Sequence, residues 1–171
     1  MNLKNMIRDI PDFPSPGIMF RDITTVLKDP KGLNLAINQM ADLLKDTEYD
    51  LVIGPESRGF IFGVPLAYKM NKGFIPARKK GKLPAETASK AYALEYGEAE
   101  IEIHKDAIRP GHKIVIADDL LATGGTARAV ADLVTELGAT VVGMVFLIEL
   151  EALGGRDLLK GYEGVRSVLV Y

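Results

Sequence analysis

Residues 113–148 constrain this chain more than any other stretch. Ile114-Val115-Ile116-Ala117 is a short continuous apolar run of the kind that is buried on both faces of a sheet. A polar and small segment, Asp118 to Gly125, follows it, and Thr126 to Leu137 then carries Val130, Leu133, Val134 and Leu137 at helical spacing. Gly138 is a helix stop, and Val141 to Ile148 reads as a second buried strand. Two strands joined through such a helix form a crossover, so the sheet must be at least partly parallel.

The remaining elements extend the same pattern. Asp29-Pro30 starts a helix, with Asp as N-cap and Pro in the first helical position, and Leu33, Ile37, Met40 and Leu44 recur along it to about Asp46. Tyr49 to Ile53 is a buried strand ending at Gly54-Pro55. The polar turn Glu56-Ser57-Arg58-Gly59 leads from it into a helix over Phe60 to Met70 that tolerates Pro65. Phe74 to Arg78 is another strand, Ile101 and Ile103 mark a half-exposed one, and Val165 to Tyr171 closes the chain. The predicted fold is a single α/β domain over 1–171, an open, mostly parallel twisted sheet with helices on both faces. Residues 1–33, crowded with Pro11, Pro14, Pro16 and Gly17, form an N-terminal arm; residues 79–100 lack a strong helical period and are predicted as a long flexible loop. Ligands in such sheets bind beyond the carboxyl ends of the strands, which singles out the turns after Ile53 and after Ala117.

Composition limits what those turns can bind. The 171 residues carry 21 basic against 23 acidic side chains, a formal net charge of -2. A protein that tracks a nucleic-acid backbone concentrates excess Lys and Arg, so the expected anion is small and no nucleic-acid partner is predicted. Having no cysteine, the chain has no thiol nucleophile, disulfide or zinc–cysteine site, in keeping with a reducing cytosol. His104 and His112 are too few for a three-histidine metal centre. Short apolar runs and the charged start MNLKNMIRDI predict neither a membrane span nor a signal peptide, so a cytoplasmic protein is expected.

The string from Ile114 to Thr126 carries the clearest chemistry. It delivers two carboxylates, Asp118 and Asp119, to a strand end and then enters a helix through small residues. Backbone N–H groups of Ala122, Thr123, Gly124, Gly125 and Thr126 would cradle a phosphate monoester at the helix N-terminus, with the two threonine hydroxyls as further donors. Carboxylates beside an anion site are repulsive unless they accept hydrogen bonds from a sugar attached to that phosphate or face a magnesium-bound part of the ligand. The plain alternative is a turn in which the aspartates cap backbone and the glycines supply positive φ. Arg58 presents a guanidinium capable of bidentate contact with an anion, or else sits on a solvated turn. Arg78, Lys79, Lys80 and Lys82 are either a solvated loop or an electrostatic funnel for a polyanion.

Taken together these segments resemble a known family. The string over 114–126 is similar to the phosphoribosyl-diphosphate (PRPP) signature of the type I phosphoribosyltransferases. FPSPGIMFRDI at 13–23, ESRGF at 56–60, RKKGKLP at 78–84 and LEYG at 94–97 match, in order, the pattern of the family's adenine-specific branch. The match runs from about Asp9 to the last strand.

The resemblance implies a magnesium-dependent reaction of adenine with PRPP that yields AMP and diphosphate through a ribosyl oxocarbenium-like transition state. It implies that residues 122–126 hold the 5′-phosphate, that Asp118 and Asp119 hold the ribose hydroxyls, and that Glu56, Ser57 and Arg58 form the diphosphate loop, where relatives often have a non-proline cis peptide. Arg78, Lys79 and Lys82 would add to diphosphate binding, whereas Lys80 stands where many relatives have Pro. Phe20 would stack on adenine, with Met19 and Arg21 reading the ring edge through backbone groups and Leu150 closing the other side. By residue physics alone, Phe20 reads as a core residue. Glu95, beside Tyr96, is the catalytic candidate, either stabilising the developing cation or exchanging a proton with the purine. A magnesium ion bound with PRPP, without an assigned protein ligand, and a homodimer complete what the resemblance implies. The alternatives are transfer to another base and a non-catalytic PRPP- or nucleotide-sensing regulator.

Overall fold

The computed structural model describes residues 2–94 and 97–171. It divides into two compact units, Met1–Gln39 and Met40–Tyr171.

In the first unit, β1 (Arg8–Ile10) and β2 (Phe20–Asp22) form an antiparallel pair, followed by the short helix α1 (Thr24–Leu27) and the start of α2 (Pro30–Leu43). The predicted arm thus contains a small ribbon. Its register sets Arg8 opposite Asp22 and Asp9 opposite Arg21, so that each arginine meets a carboxylate across the pair. Asp22 is buried, and its Oδ1 accepts from the Thr24 hydroxyl at 2.7 Å and from Thr24 N at 2.9 Å. Those two bonds, then Arg8, hold its pKa down at about 2. Asp29 caps α2 as predicted, its Oδ1 accepting from Lys31 N at 2.8 Å and Gly32 N at 3.1 Å.

The second unit holds a seven-stranded sheet in the order β5-β6-β4-β3-β7-β8-β9. Its members are β3 (Leu51–Pro55), β4 (Gly73–Lys79), β5 (Thr87–Ala93), β6 (Glu98–His104), β7 (Lys113–Leu121), β8 (Thr140–Glu149) and β9 (Val165–Val170). Five strands run parallel, and β5 and β6 pair antiparallel at one edge. Helix α3 (Arg58–Lys69) links β3 to β4, α4 (Gly125–Glu136) links β7 to β8, and α5 (Gly155–Leu158) lies between β8 and β9. Right-handed crossovers leaving in opposite directions from neighbouring strands place α3 and α4 on opposite faces. Ile53, Ile114, Ile116, Met144 and Phe146 from the sheet pack with Ala127, Val130, Leu133 and Val134 of α4.

Two differences from the sequence reading bear on function. First, the strand predicted to end at Ala117 continues to Leu121, because pairing with β8 persists through Asp118↔Phe146, Leu120↔Ile148 and Leu121↔Glu149. The two carboxylates thus stand on a strand, not in a turn. Second, much of the segment predicted as a loop over 79–100 is the β5–β6 ribbon, with Thr87↔His104 through Ala93↔Glu98 in register. The side chains of β5 are small, charged and aromatic, with no stripe of large aliphatic residues to announce a strand; pairing with β6 stabilises it instead.

Candidate functional site

Strand β3 hands its chain to β4 on one side, and its neighbour β7 hands its chain to β8 on the other. Such a switch point opens a crevice at the carboxyl edge of the sheet. The loop after β3 and the turn after β7 meet there around a cleft of about 520 Å³, lined by Glu56, Ser57, Arg58, Tyr92, Ala93, Leu94 and residues 118–127.

Asp119 is 5% exposed, and its Oδ2 lies 2.9 Å from Nε of Arg58, the first residue of α3. The backbone N–H of Asp119 donates to Asp118 Oδ1 at 2.8 Å. Burial, and next the charge of Asp119, push the Asp118 carboxyl well above the usual range; Arg58 pulls the other way without offsetting them. A Cβ at Gly59 would stand 2.9 Å from Asp118 Oδ1 and 2.8 Å from Pro55 Cδ, so only glycine in the first turn of α3 leaves room for that carboxyl.

Beyond Leu121 the chain turns through Ala122, Thr123 and Gly124 into α4. Gly124 has φ +86° and no side chain to cap the helix. The first-turn N–H groups of a 12-residue helix are therefore served by whatever enters the cleft, which suits an anion. Tyr92 of β5 packs over this helix start, its Cδ2 3.5 Å from where a Gly125 Cβ would lie. No signal in the sequence marks Tyr92, because only the pairing of β5 brings it there.

The loop after β3 begins with a cis Glu56–Ser57 peptide bond, as the family resemblance implies. Glu56 Oε1 accepts from Lys79 N at 2.6 Å, and Oε2 from Lys82 Nζ at 2.6 Å, with Arg78 Nε 3.6 Å from Oε1. Burial raises the Glu56 pKa, but these donors and their charges outweigh it and hold the carboxyl below its ordinary value. The side chains of Arg78 and Lys82 and the backbone N–H of Lys79 are thus gathered on Glu56, and none of the three residues lines the cleft. The cause is register: Pro55 pairs with Ala77, which sets the basic end of β4 beside the residue following β3. Lys80 points elsewhere, to Glu100 at 2.7 Å.

Leu150 follows β8, half-buried, its N–H donating to Leu121 O at 2.9 Å. In the first unit, Phe20 packs edge-on against Phe13 with ring centroids 5.1 Å apart, Arg21 pairs with Asp9, and Met19 is exposed. Glu95 and Tyr96 lie outside the described residues. His104 and His112 each accept a backbone hydrogen bond, from Ala85 and Arg109.

Among the described residues no group of three or more His, Asp or Glu is placed to hold a metal ion. Magnesium takes six oxygens and commonly needs only one or two carboxylates when phosphates supply the rest. The Asp118–Asp119 pair fits an ion that arrives on a phosphorylated ligand.

The phosphoribosyl transferase domain family model matches residues 22–165. The adenine phosphoribosyltransferase of Lachnoclostridium phytofermentans is 58% identical over 169 residues, 99% of this chain and 97% of the relative. The crystal structure of adenine phosphoribosyltransferase from Thermoanaerobacter pseudethanolicus superposes with a TM-score of 0.95 at 54% identity, covering 99% of this chain and 98% of that one. The Saccharomyces cerevisiae adenine phosphoribosyltransferase, complexed with an imino-altritol bisphosphate and adenine, superposes with a TM-score of 0.91 at 38% identity over 98% and 96% of the two chains.

Proposed function

The chain belongs to the adenine phosphoribosyltransferases of the phosphoribosyl transferase domain family, and from that premise we propose how its residues divide the work. It transfers the 5-phosphoribosyl group of PRPP to adenine, a step in purine salvage: the bond from ribosyl C1 to diphosphate breaks with its electron pair leaving on diphosphate, adenine N9 bonds to C1, and the N9 proton is released. The observation that carries the assignment of roles is that an uncapped helix start, a carboxylate pair and an arginine-bearing loop line one cleft.

In this reading Ala122, Thr123, Gly124, Gly125 and Thr126 bind the 5′-phosphate through backbone N–H groups and two hydroxyls. Asp118 and Asp119 accept hydrogen bonds from the ribose hydroxyls, and Arg58 with the backbone of Ser57 binds the diphosphate. Glu56 acts through its neighbours, holding the Arg78 and Lys82 side chains and the Lys79 backbone beside the loop. Asp118 and Asp119 would face a magnesium ion that arrives with PRPP, and that ion would supply charge neutralisation for the diphosphate. Phe20 offers the stacking face for adenine, with Met19, Arg21 and Leu150 around the ring, a role that rests on the family pattern. Glu95 stabilises the cationic ribosyl group or takes the purine proton, with Tyr96 beside it on residues 79–100, the segment we assign to cleft closure.

A cytoplasmic homodimer belongs to the same proposal. The absence of cysteine supports the compartment. Ile61, Val64 and Tyr68, exposed by 38%, 47% and 88%, recur along one side of α3 and support a second copy as that helix's partner.

The test is to offer the protein PRPP and magnesium with adenine, hypoxanthine, guanine, xanthine or orotate, and to follow nucleotide formation by chromatography. AMP from adenine alone is expected. A nucleotide from another base would overturn the base assignment, and PRPP binding without product would overturn the transferase reading.

A further inference from the structure

We propose that Gly155, Arg156 and Glu149, none of which lines the cleft, are positioning residues that set the shape of the 122–126 turn. This rests on the reading of that turn as the 5′-phosphate site. The outer side of the turn meets the start of α5 backbone to backbone. A Cβ added to Gly155 would lie 2.4 Å from Ala122 O and 2.8 Å from Leu121 Cδ1; one added to Gly124 would lie 2.7 Å from Gly155 O. No side chain fits between the two strips, so the placement of residues 154–155 fixes how far Ala122 and Gly124 can shift.

What holds that strip is the residue next to it. Arg156 grips Glu149 with two parallel bonds, Nε to Oε1 at 2.6 Å and Nη2 to Oε2 at 2.8 Å, while its Nη1 donates to Val165 O at 2.8 Å. Glu149 is 4% exposed, and its Oε2 also accepts from Ser167 Oγ at 2.7 Å. In the sheet Glu149 pairs with Leu121, the residue from which the turn departs. The far end of α5 is tied to α4, since Arg128 Nη1 donates to Leu158 O at 3.0 Å. The turn is therefore bracketed: β7 and α4 enter and leave it, and the Glu149–Arg156 fork presses Gly155 against its back. A bidentate arginine fork is directional in a way a lysine point charge is not.

The experiment separates this from general destabilisation by comparing two fragments of the substrate. Ribose 5-phosphate would occupy the turn; inorganic diphosphate would occupy the 56–58 loop. Binding of each is measured by calorimetry on wild type, Gly155→Ala, Arg156→Lys and Arg156→Ala, alongside KM for PRPP and kcat. The expected result is a loss of about 10-fold or more in ribose 5-phosphate affinity for Gly155→Ala and Arg156→Ala, of the order that small misplacements of binding groups produce. Diphosphate affinity stays within about 2-fold, KM for PRPP rises more than kcat falls, and Arg156→Lys recovers part of the loss. Should Gly155→Ala fail to fold, the two Arg156 variants carry the same expectation. Equal losses for both fragments, or wild-type ribose 5-phosphate affinity in a folded variant, would overturn the proposal. A wild-type protein that binds no ribose 5-phosphate would instead sink the reading of the turn itself.

Discussion

Nε of Arg58 lies 2.9 Å from Oδ2 of Asp119, so the first residue of α3 neutralises a buried carboxylate at the end of β7. The pair joins the loop proposed for the diphosphate to the strand end proposed for the ribose. Removing either partner should therefore be felt on both sides of the cleft. Arg58→Ala leaves Asp119 buried beside Asp118 with no counter-charge, and breaking one partner of such a pair is costly. We expect Arg58→Ala to weaken PRPP by about 10²-fold or more, the loss of a charge-assisted contact plus an uncompensated carboxylate. Asp119→Asn, which keeps a carbonyl for a hydroxyl, should lose less. Calorimetric titration with PRPP checks both, and wild-type affinity in Asp119→Asn would count against its ribose role.

Asp118 makes an opposing prediction for stability. Its folded pKa is raised, so the folded state holds that proton more tightly than the unfolded state does. Stability then falls as pH climbs through the ordinary carboxylate value towards the raised one, and the full penalty is present above it. Asp118→Asn keeps the acceptor for Asp119 N–H and removes the penalty. At neutral pH the variant should melt about 2–4 °C higher, equivalent to roughly 1 kcal/mol for a domain of this size, while binding PRPP less well. A lower melting temperature, or a gain that persists unchanged at acid pH, would refute the account.

The Asp22 cluster predicts a different pH window. Because hydrogen bonds from Thr24 and Arg8 hold its pKa at about 2, the ionised form favours the fold. That contribution is complete above the usual carboxylate range and disappears as pH falls through about 2. Asp22→Asn should therefore be less stable than wild type at pH 6, and the two melting curves should converge between about pH 4 and 2. Parallel curves across that range would show that Asp22 is not ionised in the fold as described.

For Glu95, which lies outside the described residues, the family resemblance supplies the expectation. Glu95→Ala should lower kcat by about 10- to 10³-fold with a smaller change in KM, the usual size for one electrostatic group acting in the transition state. Steady-state kinetics with saturating PRPP and adenine read it directly; an unchanged kcat would remove Glu95 from the mechanism.

The amino-acid sequence by itself determined the parts of this protein whose physics is local. The crossover over 113–148 follows from a change of hydrophobic period, the start of α2 from Asp29-Pro30, and the uncapped turn into α4 from small residues between a buried strand and an amphipathic helix. Each is settled within a dozen residues by propensity, capping and periodicity. Tertiary structure alone decided the rest. That β3 neighbours β7 brings Arg58 to Asp119, and that β3 pairs with β4 turns Arg78 and Lys82 onto Glu56, where the basic run by itself reads as a solvated loop or an electrostatic funnel. Pairing of β5 with β6 places Tyr92 over α4, although the β5 sequence has no strand-like stripe. Gly155 matters through a backbone approach to Ala122 that no local pattern encodes. These are contacts between residues remote in the chain, and their geometry depends on strand order and register, which become definite only when the whole sheet has formed.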